Sequence, residues 1–97
     1  MFTNRAKNGR NNLCGRKIYE LRRRMIPRVS QRALADMLQI TGLDLDKNAI
    51  QRIESGKRFV TDIELAAFAS VFSVDVSQLL EEDVLEGFET APGNQES

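Results

Sequence analysis

The chain has 97 residues, with 14 basic and 14 acidic side chains, no histidine and a formal net charge of zero at pH 7. This length allows one domain and leaves no room for a separate ligand-sensing domain. The usual base near neutral pH is missing, and the sequence contains no phosphate-binding glycine loop, GxSxG or CxxC motif. We therefore expect no enzymatic activity, no metal site and no cofactor.

The charges are divided unequally along the chain. Residues 1–58 contain all fourteen basic side chains and five acids, which gives a formal charge of +9. The remaining residues contain nine acids and no base, which gives −9. Such an asymmetry is typical of a polyanion-binding surface or a charged tail, so zero net charge does not exclude nucleic acid as a partner.

Cysteine use and hydropathy predict a cytoplasmic protein that does not contact a membrane. The single cysteine, Cys14, is predicted to be a small core residue at the start of the first helix, with a redox-sensitive thiol as the alternative. The N-terminal residues lack the apolar segment of a signal peptide. The longest apolar runs, such as 65–69, are far shorter than the ~20 residues that span a bilayer.

Residues 1–12 are polar, basic and rich in Asn and Gly, which predicts a flexible arm. Arg5, Lys7 and Arg10 on this arm could enter a DNA minor groove or contact the adjacent backbone. A solvated tail without a DNA contact is the alternative.

Helical signals begin directly after the arm. Apolar residues recur at helical spacing over 13–25, and Pro27 ends this first helix. The four later helix starts repeat the hydrophobic staple, in which an apolar residue before the N-cap packs on the residue four positions into the helix. The staple pairs are Val29 with Leu34, Leu45 with Ile50, Val60 with Leu65, and Val74 with Leu79.

Two glycines predict where the second and third helices end. Gly42 and Gly56 suit the left-handed position after the second and third helices, and the fifth helix is predicted to begin at Val76. No segment shows a convincing strand alternation. The sequence therefore predicts an all-α fold, a compact bundle of five short helices over residues 13–80 that contains a helix-turn-helix.

The third helix, predicted over 46–54, has one apolar side and one side with long or forked polar side chains. These side chains have the donors and acceptors that read base edges in the major groove, whereas the alternative is an ordinary solvated helix face. The predicted base-contacting residues are Lys47, Asn48, Gln51 and Arg52.

Phosphate contacts are predicted beside this face. Gln31 begins the second helix, where backbone N–H groups and the positive end of the dipole favour an anion. Lys57 and Arg58 follow the third helix. Their alternative role is to stabilise the C-terminal end of that helix as solvated cations.

Several stretches of residues 15–80 together resemble the lambda-repressor/Cro-like (XRE) helix-turn-helix family. The resemblance is carried by IYELR at 18–22, SQ and LA within 30–35, IQRIESGKR at 50–58, and the apolar residues of 65–69 and 74–80. It implies a five-helix domain that binds a pseudopalindromic operator in double-stranded DNA as a homodimer. The segment between the second and third helices is longer than is common in the family.

The resemblance also implies residue roles. Lys47, Asn48 and Arg52 match base-contacting positions of the family, and Gln31 and Lys57 match phosphate-contacting ones. A further pair, Arg22 and Glu54, matches an internal salt bridge whose arginine lies near the DNA backbone, so Arg22 is also a predicted phosphate contact.

The acidic C-terminal extension, residues 81–97, continues an apolar stripe that begins in the fifth helix. We interpret this stripe as a candidate dimer or partner surface, with packing onto its own domain as the alternative and a disordered tail from Ala91. The stripe consists of Leu80, Val84, Leu85 and Phe88.

These features predict a sequence-specific DNA-binding transcriptional regulator, a dimeric repressor that reads the major groove with its third helix. The alternative is a protein-interaction module, such as an antitoxin or antagonist subunit, that captures a regulatory partner through the C-terminal stripe.

Overall fold

The computed structural model describes residues 9–87, except for the side chains of 82–87. This part of the chain contains five helices and no strand, which confirms the predicted all-α fold. None of these helices has the length and apolar character needed to cross a membrane. The helices are α1 (Gly15–Arg24), α2 (Gln31–Ile40), α3 (Lys47–Glu54), α4 (Asp62–Phe72) and α5 (Val76–Gly87).

The starts of α2, α3 and α4 are fixed by N-cap residues, each directly after the first member of a predicted staple pair. Ser30, Asp46 and Thr61 each accept a hydrogen bond from the backbone N–H three residues later. At α4 the capping box is complete, because Glu64 also accepts from the N–H of Thr61. These bonds satisfy N–H groups that have no partner within a helix.

Left-handed residues end α2, α3 and α4. Gly42 has a φ of 98°, and the next N–H, of Leu43, reaches back to the carbonyl of Leu38 at 3.1 Å. Gly56 after α3 has a φ of 82° and the same pattern of bonds. α4 ends in this way at Ser73, with a φ of 57°, which is uncommon for a residue other than glycine.

The core lies where all five helices meet. Each helix contributes at least one side chain with no accessible surface. Cys14 is also buried among these residues, which confirms its prediction as a core side chain. Representative core residues in chain order are Ile18, Leu34, Ile50, Phe68 and Leu79.

The structure differs from the sequence prediction at residues 10–12, which we call the strap. Asn12 is only 8% exposed, and its side-chain amide donates to the carbonyls of Ile53 at 3.0 Å and Arg58 at 2.8 Å. Its side-chain oxygen accepts from the N–H of Gly15 at 2.8 Å. Asn12 therefore caps the start of α1 and at the same time holds the end of α3.

The rest of the strap binds the same end of α3. Arg10 donates from Nη2 to the carbonyl of Glu54 at 2.7 Å. The backbone N–H of Asn11 donates to the carbonyl of Gly56 at 2.8 Å, and its side-chain amide donates to the carbonyl of Lys57 at 3.1 Å. The last carbonyls of a helix lack partners within the helix. The strap donates hydrogen bonds to two of these in α3, the carbonyls of Ile53 and Glu54. The packed domain therefore includes residues that we predicted to belong to a flexible arm.

Two glycines allow the strap to lie this close. A Cβ atom on Gly15 would overlap the carbonyl oxygen of Ile53 and lie 2.8 Å from Oδ1 of Asn12. A Cβ atom on Gly56 would lie 2.8 Å from Cζ of Arg10. The close approach of α1, α3 and the strap therefore depends on the absence of side chains at both positions.

We expect Asn12→Ala to lower the free energy of unfolding by about 2–3 kcal/mol, because it removes three hydrogen bonds of a largely buried side chain. Urea denaturation followed by circular dichroism measures this change. Asn11→Ala is the matched control and should cost less, since it removes one side-chain bond at an exposed site. Equal losses in the two variants would contradict the role assigned to Asn12.

Candidate nucleic-acid interface

One side of α3 carries four exposed polar side chains, as the sequence predicted. The opposite side is formed by Ile50 and Ile53, which have no accessible surface. With eight residues, α3 is about 12 Å long, comparable to the width of a DNA major groove. The exposed side chains are Lys47, Asn48, Gln51 and Arg52.

A buried ion pair fixes Glu54, the last residue of α3. Arg22 on α1 donates from Nε to Oε2 of Glu54 at 2.7 Å and from Nη2 to Oε1 at 3.0 Å. The two side chains are 10% and 5% exposed, respectively, and the pair is the salt bridge that the family resemblance implied. Gln31, the first residue of α2, also donates to Oε1 of Glu54 at 3.0 Å. Three helices therefore converge on one carboxylate.

Arg22 is mostly enclosed by the domain, and its predicted phosphate contact stays a prediction. Its third bond runs from Nη1 to the carbonyl of Val29 at 3.0 Å, so the guanidinium is engaged inside the domain. A side chain that is 10% exposed offers little surface to a DNA backbone. Gln31 is only partly buried and remains a candidate phosphate contact, oriented by its bond to Glu54.

The two basic residues after α3 have different environments. Lys57 is exposed. Arg58 instead donates from Nη1 and Nη2 to the carboxylate of Glu64 on α4, at 2.9 and 3.0 Å, and from Nη1 to the carbonyl of Phe59 at 3.1 Å. The phosphate contact stays a prediction for both residues, and Arg58, whose side chain is 31% exposed, also forms a structural bridge to α4.

The bridge between Arg58 and Glu64 changes the acidity of both groups. Hydrogen bonds from Arg58 hold the pKa of the Glu64 carboxyl below its ordinary value, against the opposing effect of burial. The same bonds raise the pKa of Arg58 above its ordinary value. Both partners therefore stay charged over a wider pH range than in an unfolded chain.

The two ends of α3 differ in charge. A cleft of about 310 Å³ between α2 and the start of α3 is lined by Asp36, Asp44 and Asp46, together with Arg32 and Lys47. The long segment between α2 and α3 contributes part of this acidic lining. Phosphates are repelled by carboxylates, so the basic end of α3 and the side facing α1 are better suited to a DNA backbone.

A smaller cleft of about 230 Å³ on the α1 side contains Tyr19, for which no functional role was predicted. Tyr19 is exposed there, and its hydroxyl accepts a bond from Arg23 at 2.7 Å. The spacing of these two residues, i and i+4 on one helix, was a local signal for this contact. The cleft is lined by Tyr19, Gln31, Gln51, Glu54 and Ser55.

Part of the predicted C-terminal stripe packs onto its own domain. Leu80 is partly buried against the core, next to the fully buried Leu79. The side chains of Val84 and Leu85 are not described, so their predicted role in a dimer stays a prediction. Three further residues of the predicted sites lie outside residues 9–87: Arg5, Lys7 and Phe88.

No protein-family model, curated protein or solved structure matches this chain. The resemblance to the helix-turn-helix family therefore rests on the residues of this sequence alone. Within residues 9–87, no group of three or more His, Cys, Asp or Glu side chains is arranged to hold a metal ion.

We expect Glu54→Gln to lower the free energy of unfolding by about 3 kcal/mol, because Arg22 would remain buried without a counter-charge. Urea denaturation measures the loss. Asp36→Asn removes an exposed carboxylate and serves as the control, with an expected change within about 0.5 kcal/mol. A similar, small effect of both substitutions would contradict a stabilising role for the buried pair.

Stability should also depend on the ionisation of Glu64. Because its pKa is lowered by folding, its contribution is fully present above the unfolded pKa of about 4.3 and is lost as the pH falls through the lower folded pKa. Urea denaturation between pH 7 and pH 2 should show this loss in the wild type and a flatter profile in Glu64→Gln. Arg58→Gln should flatten the profile as well, and an unchanged profile in that variant would contradict the assigned cause.

Proposed function

We propose that this chain is a sequence-specific DNA-binding transcriptional regulator that reads the major groove with α3. The observation that carries the proposal is the exposed polar side of α3 on a helix that is fixed at both ends. Asp46 caps its start, while at its last turn the Glu54 side chain is held by Arg22 and Gln31 and the strap binds the carbonyls of Ile53 and Glu54. A helix fixed in this way presents its side chains in one orientation, as base readout requires.

Base specificity is assigned first to Asn48 and Arg52. An asparagine side chain can bond N6 and N7 of adenine, and an arginine can donate to O6 and N7 of guanine. Each well-formed pair contributes about 1–3 kcal/mol of discrimination against the wrong base. Lys47 and Gln51 have further donors on the same side of the helix.

Backbone contacts are assigned to Gln31 and Lys57. Gln31 begins α2 and bonds Glu54 at the end of α3, and Lys57 lies three residues after that end. Such contacts set register and orientation and make affinity strongly dependent on salt.

The proposal includes a homodimer on a pseudopalindromic operator, as the family resemblance implies. Two copies of α3 would read half-sites about 34–36 Å apart, one helical turn of DNA. A dimer bound over a promoter would act as a repressor by excluding other proteins from that site.

The test is selection of bound duplexes from a random DNA pool, followed by affinity measurements over a range of salt. We expect enrichment of a two-fold symmetric site. Arg52→Ala should relax base preference at one position per half-site, and Lys57→Ala should weaken binding to all sequences and reduce the salt slope by about 1.

Arg24→Ala is the charge-matched control for Lys57→Ala. Arg24 is exposed and lies two residues after Arg22 on α1, which places it on the side of the helix opposite to α3. It should leave the salt slope nearly unchanged. Failure to enrich any sequence, together with undetectable binding to duplex DNA at low salt, would overturn the proposal.

A further inference from the structure

An arginine pair holds Tyr19 in place on the surface of α1. Its side chain is 42% exposed, and its hydroxyl oxygen lies 2.7 Å from Nη1 of Arg23. The guanidinium carbons of Arg22 and Arg23 lie 5.5 and 5.3 Å from the centroid of the tyrosine ring. Both distances are within the range of cation–π attraction. The hydroxyl is therefore presented in one position at the surface.

This hydroxyl lies on the same face as the predicted DNA contacts. The cleft beside Tyr19 is also lined by Gln31 and Gln51, which are candidate phosphate and base contacts. The carboxylate in this cleft belongs to Glu54 and is already paired with Arg22. The cleft thus joins α1 to the reading face without presenting an unpaired negative charge to it.

We propose that Tyr19 and Arg23 bind one phosphate of the DNA backbone together and so extend the interface from α2 and α3 to α1. The proposal rests on the proposed function. The tyrosine oxygen accepts from Arg23, which leaves its own hydrogen to donate outward. Arg23 is exposed and retains further N–H donors beside it. A phosphate oxygen, which only accepts, is the ligand that such a pair of donors fits.

The pair contacts the backbone and does not read bases. Both of its members offer hydrogen-bond donors next to Gln31, itself a candidate phosphate contact. Phosphate contacts carry no sequence information, and the pair should therefore change affinity equally for all DNA sequences.

The experiment compares Tyr19→Phe, Arg23→Gln and their double variant with Arg24→Gln, using the selected operator and a scrambled duplex at several salt concentrations. Tyr19→Phe keeps the ring and removes only the hydroxyl. We expect it to weaken binding by about 3–10-fold on both duplexes, as for the loss of one ordinary hydrogen bond at an exposed site. Arg23→Gln should weaken binding by about 10-fold and reduce the salt slope by about 1.

Two further comparisons separate binding from structure. The double variant should lose less than the product of the single losses, because both side chains serve one phosphate. Arg24→Gln removes the same charge from the far side of α1 and should leave the salt slope nearly unchanged. Thermal unfolding of Tyr19→Phe should match the wild type, so this variant carries the test even where Arg23→Gln is poorly folded.

The outcomes distinguish this inference from the proposed function. Suppose that the wild type binds the operator, that Tyr19→Phe binds with the same affinity, and that Arg23→Gln has the same affinity and salt slope as Arg24→Gln. This result would overturn the phosphate site and leave the proposed function intact. A change in base preference in Arg23→Gln, without the uniform loss, would also overturn it. Absence of DNA binding by the wild type would overturn both.

Discussion

The need to pair a buried carboxylate determines how the helices of this domain are arranged. An unpaired ionised group in a protein interior costs several kcal/mol, so Glu54 requires donors within the fold. Arg22 supplies two of them and Gln31 a third, while Arg22 also bonds the carbonyl of Val29 in the link to α2. The orientation of α3 relative to α1 and α2 is therefore set by directional bonds as well as by apolar packing.

A helix as short as α3 must be stabilised from outside itself. Eight residues form a marginal helix in water, because nucleation is costly and few bonds follow it. Here Asp46 caps the beginning of α3, Gly56 allows the chain to reverse after it, and the strap binds its last carbonyls. Both ends are fixed by polar contacts, so the exposed side of α3 needs no structural role and its side chains are available to a ligand.

Local patterns in the sequence were sufficient to predict the helices and the two sides of α3, because staples, caps and apolar periodicity act within a few residues. They were insufficient for the strap, whose hydrogen bonds join residues more than 40 positions apart. A polar, glycine-rich segment has the same composition whether it is solvated or bound to distant carbonyls. The bridge from Arg58 to Glu64 was not predicted for a related reason, since it depends on how α4 packs.

The strap also affects the order in which this domain can be completed during synthesis. Its partners are the carbonyls of residues 53–58, so the earliest described residues of the chain have no binding site until α3 and the loop after it have been made. Such long-range contacts are formed late and slow the search for the native state. A nascent chain that has emerged only through α2 contains Arg22 without Glu54 and Asn12 without its acceptors. The first stable form of the domain therefore requires the chain to extend beyond Arg58.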